Sequence, residues 1–134
     1  MELKVVPAER VPQIWSEVEG FLVDALQYSK GDYRVDHVQT YLSAGTWMLV
    51  IVTEGEFIHG AIAVQFFNRP TQRVAFVVAV GGYMISKQSE VDALKHICKA
   101  HGATVMEGAA RESAARLWSR VGLTEKYKIM EVLL

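Results

Sequence analysis

Few residues in this chain have the type and placement to do chemistry. Two carboxylates stand at the ends of apolar runs. Glu54 closes TWMLVIVTE, and Glu107 closes the apolar part of ATVMEGAA. A carboxylate at such a position is a candidate general base. Four histidines, at 37, 59, 96 and 101, lack metal-ligand spacing, so no metal site is expected. Cys98 is the only cysteine, which excludes an internal disulfide and a cysteine zinc site. It falls on an apolar helical stripe and reads as a buried thiol, not a nucleophile. A polar, aromatic stretch, Tyr28-Ser29-Lys30-Gly31-Asp32-Tyr33, reads as a loop closed by a glycine signal, with Tyr28, Asp32 and Tyr33 its notable side chains. Gly81-Gly82 follows an apolar run and reads as a turn opening a loop that leads to a helix N-terminus, which is where an anion usually sits in such units.

The elements that must position these residues follow from periodicity. ELKVVPA reads as a short strand. Val11, Ile14, Trp15, Val18, Leu22, Ala25 and Leu26 recur at helical spacing, with Pro12 suited to the first turn and Gly20 marking a bend or break. Val35, Val38, Tyr41 and Leu42 predict a short second helix. TWMLVIVTE, FIHGAIAVQFF and RVAFVVAV read as three consecutive antiparallel strands, joined at Gly55-Glu56 and at Asn68–Thr71. Gly60 inside the second of these marks a bulge or a close backbone approach. Val91, Leu94, Ile97, Cys98 and His101 share a helix face closed by Gly102, and Ser89 with Asp92 resembles a capping box. ATVMEGAA is a fifth strand. Ala110, Ala114, Leu117, Trp118 and Val121 make a last helical stripe stopped by Gly122. KYKIMEVLL alternates as a closing strand.

The totals agree with one domain over residues 1–134. Fourteen basic and fifteen acidic residues leave a net charge of −1, so there is no basic stripe for nucleic acid. No apolar run reaches the length of a membrane span. The start MELKVVPAER lacks the apolar core of a signal peptide, and a cytoplasmic protein is expected.

The order β-α-α-β-β-β-α-β-α-β predicts an α/β (α+β) fold. Its sheet should be mixed, mostly antiparallel and six- to seven-stranded, with helices on both faces. In this order the run Ala114-Ala115-Arg116-Leu117-Trp118-Ser119-Arg120-Val121-Gly122-Leu123 resembles the A-x-x-L-Y-x-K-x-G-F helix end of the GNAT superfamily of acyl-CoA-dependent N-acyltransferases. KYKIMEVLL is similar to that family's closing strand.

The resemblance implies acetyl-CoA or another acyl-CoA as cofactor and transfer of the acyl group to a small-molecule or protein amine. It places pantetheine along Val78, Val80, Gly81 and Gly82, and the pyrophosphate near Lys87, Gln88 and Ser89. It makes Glu54 or Glu107 the base for the amine, and puts Tyr28, Asp32 and Tyr33 at the acceptor pocket. It also permits a homodimer or larger assembly paired through the last strand.

Two departures oppose activity. The family's R/Q-x-x-G-x-G/A loop falls on Ile85-Ser86-Lys87-Gln88-Ser89-Glu90, which has no glycine and carries a negative charge. The tyrosine that protonates the departing thiolate is replaced by Trp118, whose indole is no acid near neutral pH. The alternative expectation is therefore a catalytically inactive binding or structural protein. Compact chains with a spoiled phosphate loop also resemble those of bacteriophage genomes, some of them virion components.

Overall fold

A computed structural model describes all 134 residues. Its elements run β1 (Glu2–Val6), α1 (Val11–Leu26), α2 (Val35–Ser43), β2 (Trp47–Glu54), β3 (Phe57–Arg69), β4 (Gln72–Gly82), α3 (Gln88–Ala100), β5 (Val105–Gly108) and α4 (Glu112–Ser119), with one 3₁₀ turn at Ala8–Arg10. The five strands form one sheet in sequence order. Strands β1 to β4 pair antiparallel, while β4 and β5 pair parallel around the α3 crossover.

Alternation along the strands sends side chains to two cores. Leu49, Ala61, Ala63 and Ala79 face α1 and α2, where Val11, Val18, Leu22, Val38 and Leu42 are buried. Met48, Val50, Ile62, Val64 and Val77 face the other way, against Val91, Leu94 and Cys98 of α3 and Val121 beyond α4. Helices thus cover both faces, which is why β2 to β4 are apolar on both sides. Cys98 lies in the second core, and burial pushes its thiol up to about 11.

Five expectations change. The sheet has five strands, not six or seven. KYKIMEVLL forms no strand, and no backbone–backbone hydrogen bond involves residues 124–134 outside the regular elements. Its alternation specifies a strand's period, but the run does not pair with the free outer edge of β5. Gly20 does not break α1, which is continuous from Val11 to Leu26. The cap of α3 is not the Ser89 and Asp92 pair: the helix starts at Gln88, and Glu90 reaches back to the Lys87 N–H. Gly81 and Gly82 are not a loop but the last two residues of β4.

The glycine pair has a packing cause. A Cβ on Gly81 would stand 1.8 Å from the Phe21 carbonyl oxygen, so α1 lies backbone-on-backbone against the end of β4. Gly82 has a φ of +76°, and its missing side chain leaves room for the Phe21 ring and the His59 carbonyl.

Candidate functional site

Two register shifts and one parting shape the C-terminal end of the sheet. Between β2 and β3 the pairing skips His59, and between β3 and β4 it skips Val78, so each is the extra residue of a bulge. The expected irregularity near Gly60 is thus at the residue beside it. Strand β5 pairs β4 only from Val74–Val105 to Val77–Gly108. Beyond Val77, β4 runs on to Gly82 with no strand on that side. The two parallel strands part there, leaving a slot between them.

The slot is lined by Val77, Val80, Ile85, Leu94, Met106 and Trp118, among others, and is almost wholly apolar. Gly108 admits the Trp118 ring, which would stand 3.1 Å from a Cβ placed there. The remaining cavity is about 30 Å³. That holds about one water molecule, whereas small-molecule sites run to about 300 Å³ and more. Of the strand residues expected to meet a cofactor, Val80 lines the slot and Val78 packs into the α1/α2 core.

The N-terminus of α3 adjoins the slot through Ile85 and Val91. Its anion position is filled from within. Glu90 is buried, and its carboxylate accepts hydrogen bonds from the Tyr83 hydroxyl (2.6 Å), the Lys87 N–H (3.2 Å) and the Ser86 N–H (3.3 Å). Burial is the largest influence on this carboxyl and pushes it up. The Tyr83 hydroxyl and the two N–H groups together outweigh burial and hold it below the usual carboxylate value. The helix dipole favours the same ionised form. Tyr83 in turn is raised, first by donating to Glu90 and then by burial. Lys87, Gln88 and Ser89 sit at this helix start as expected, with exposed side chains. Glu90 and Tyr83 were not among the expected site residues. The sequence signal was there in part, since an acidic residue at the third helical position is a known backward cap.

The two candidate bases differ. Glu107 is bound bidentately by Arg69 (2.6 and 2.9 Å) and also by Lys126 (3.0 Å). Arg69 is the main cause of its carboxyl falling to about 2; burial opposes this and Lys126 adds to it. A group that holds a proton so weakly is a poor base at neutral pH, so Glu107 is a structural anchor. Glu54 is highly exposed at the end of β2, 3.8 Å from His59 Nε2. That separation is too long for a hydrogen bond, and this imidazole nitrogen has no partner inside the protein.

Replacing Glu107 with glutamine is expected to lower stability by about 1–2 kcal/mol, the usual worth of charge-assisted bonds at a half-covered site. Because the folded carboxyl is depressed, its contribution is present above about pH 4.5 and is lost as pH falls through about 2. Acid titration of folding by circular dichroism should show a shallower loss in that window for the variant.

The aromatic loop divides. Tyr28 is exposed, and the Arg111 guanidinium lies 4.0 Å over its ring, joining the α1–α2 loop to the start of α4. Tyr33 is half-buried, turns inward and packs edge-on against Trp47 at 5.1 Å at the margin of the α1/α2 core. Asp32 is exposed, with no side-chain partner. The loop's three candidates therefore do not converge on one pocket.

An acyl-CoA makes two demands on this region: a slot wide enough for pantetheine, and free N–H groups for the pyrophosphate. The residues present do not meet the first and meet the second only in part, through the Gln88 and Ser89 N–H groups, which have no acceptor within the protein. Trp118 narrows the slot, and the Glu90 carboxylate takes the Ser86 and Lys87 N–H groups while placing a negative charge where phosphate would approach. No helix is long and apolar enough to cross a membrane.

No protein-family model and no curated protein matches the sequence. Solved structures do match along the full chain. An aminoglycoside acetyltransferase from an uncultured soil metagenomic sample is 16% identical with a TM-score of 0.69, covering 100% of this chain and 99% of its own. A GCN5-related N-acetyltransferase from Ralstonia eutropha JMP134 is 10% identical with a TM-score of 0.67, covering 98% and 97%. A predicted acetyltransferase from Clostridium acetobutylicum, solved with acetyl-CoA, is 12% identical with a TM-score of 0.65, covering 98% and 95%. At these identities the likeness is one of fold. The chain has the GNAT acetyltransferase fold.

Proposed function

We propose that this chain uses the acetyltransferase fold as a binding and assembly module that does not take up acyl-CoA. The Glu90 carboxylate carries this reading. It supplies, from inside the chain, the anion that an acetyltransferase of this fold would take from its cofactor. A structural or accessory role, as in a virion component, suits a protein of this kind. Loss of the acyl-CoA site removes the need for an acid at Trp118 or a base at Glu107.

The partner surface we assign is residues 124–134, and the partner is a second copy. Ile129, Met130, Val132 and Leu133 are each about four-fifths or more exposed. From Ile129 to Leu134 only Glu131 is charged, so the end of this run is an exposed apolar segment. Lys126 ties its root to Glu107 on β5, whose outer edge pairs with no strand. Reciprocal pairing of that run with β5 of a second copy would satisfy both. Light scattering at tens of micromolar should give a dimer, and Ile129→Lys with Val132→Lys should give a folded monomer. A monomeric parent protein would reject this assignment.

A second reading is acyl transfer from acyl-CoA to an amine. The parting of β4 from β5 beyond Val77 favours it. Of the two carboxylates, only Glu54 is then free to serve as base.

A further inference from the structure

A second cleft lies at the opposite end of the sheet from Gly81 and Gly82. There β1, the start of β2, the middle of β3, the start of β4 and the end of α3 converge. Its volume is about 340 Å³. Val6, Trp47 and Met48 are buried in its walls, and Phe66 adds an aromatic face. No carboxylate lines it; its only ionisable lining residues are Arg73 and His101.

Both basic groups are held in place from the protein side. The Arg73 guanidinium lies 5.3 Å over the Phe66 ring, donates from Nε to the His101 carbonyl (3.4 Å) and from Nη1 to Asn68 Oδ1 (3.1 Å). It forms no ion pair, and Nη2 has no partner within the protein. The His101 ring stacks on Phe66 at 5.8 Å with 24° between planes. Its Nδ1 lies 2.9 Å from the Ile97 carbonyl, which can only accept, so Nδ1 carries the hydrogen and Nε2 is left free.

We infer that this cleft binds a small monocarboxylate with an apolar body. One fixed guanidinium suits one carboxylate, and its two contacts and aromatic support spare the ordering cost that a free arginine would incur on binding. The apolar walls take the hydrocarbon. The volume is at the low end for ligand sites and fits roughly ten heavy atoms. A phosphate dianion would lack the further donors it needs. The inference is independent of what the slot beside α3 does.

The test is amide chemical-shift titration of the protein with hexanoate, hexanol and inorganic phosphate in parallel. Hexanoate should move residues around Thr46, Trp47, Phe66 and Arg73 saturably, with a Kd of about 1 mM or tighter. Hexanol and phosphate should bind at least about tenfold more weakly, and Arg73→Met should cost hexanoate about tenfold while leaving its stem on Phe66. If that variant does not fold, Arg73→Lys, which keeps charge but loses the fork, should still weaken binding. Three results would overturn the inference: shifts that do not saturate, shifts centred elsewhere, or equal affinities for hexanoate and hexanol. So would unchanged affinity in whichever arginine variant folds.

Discussion

Gly81→Ala is expected to destabilise the protein by about 3 kcal/mol or more, or to prevent folding. The new Cβ would lie 1.8 Å from the Phe21 carbonyl oxygen and 2.5 Å from its carbonyl carbon. Both are backbone atoms inside a regular helix, so no rotamer change relieves the clash. Relief requires α1 to lift from β4, uncovering the core that contains Val18, Leu22 and Ala79. Overpacking usually costs about 1–3 kcal/mol, and a backbone-to-backbone clash belongs at or beyond the upper end. Gly20→Ala is the control. It sits in the same helix with nothing within 4 Å of its Cβ, and alanine is the better helix former by about 0.5–1 kcal/mol. Thermal melts followed by circular dichroism should therefore move in opposite directions for these neighbouring substitutions. Equal, small shifts would mean that α1 does not sit on β4 as described.

The second large effect is expected at Glu90. Alanine there removes the acceptor for a part-buried tyrosine hydroxyl and for two N–H groups at a helix start. Leaving such donors unsatisfied costs about 1–3 kcal/mol each where water cannot enter; with partial solvent rescue the total is about 2–4 kcal/mol. Glutamine should cost less, because its oxygen still accepts one of the bonds. The pH dependence carries a sign. Glu90 is held below the usual carboxylate value when folded, so its contribution is present above the unfolded value and is lost as pH falls through the folded one. Glu107 titrates on the same acid side, so the comparison is best made in a Glu107→Gln background. There, Glu90→Gln should reduce the remaining acid-side dependence, with Asp36 beside Arg34 still contributing. An unchanged acid profile would count against the hydrogen-bonded carboxylate.

Much of the architecture was legible along the chain because it is local. The stripes of α1 and α3, the β2–β3 hairpin and the parallel pair around α3 each follow from short-range periodicity or connection rules. The site was less legible because its decisive contacts are not local. Arg69 and Glu107 are 38 positions apart, so a carboxylate that reads as a free base is in fact neutralised. Tyr28 and Arg111 meet from opposite ends of the sequence. Glu90 is the intermediate case. Its charge could be read as hostile to phosphate, but its occupation of the Ser86 and Lys87 N–H groups depends on how the turn from Tyr83 folds back. The final alternation in KYKIMEVLL was read correctly as a period and wrongly as a strand of this sheet, since pairing needs an edge that sequence alone does not locate.

Calorimetric titration of the intact protein with acetyl-CoA tests the central claim most directly. An internal carboxylate at the start of α3 and a slot narrowed by Trp118 predict no saturable heat up to about 1 mM ligand. Saturable binding tighter than about 100 μM, weakened by added pyrophosphate, would contradict it.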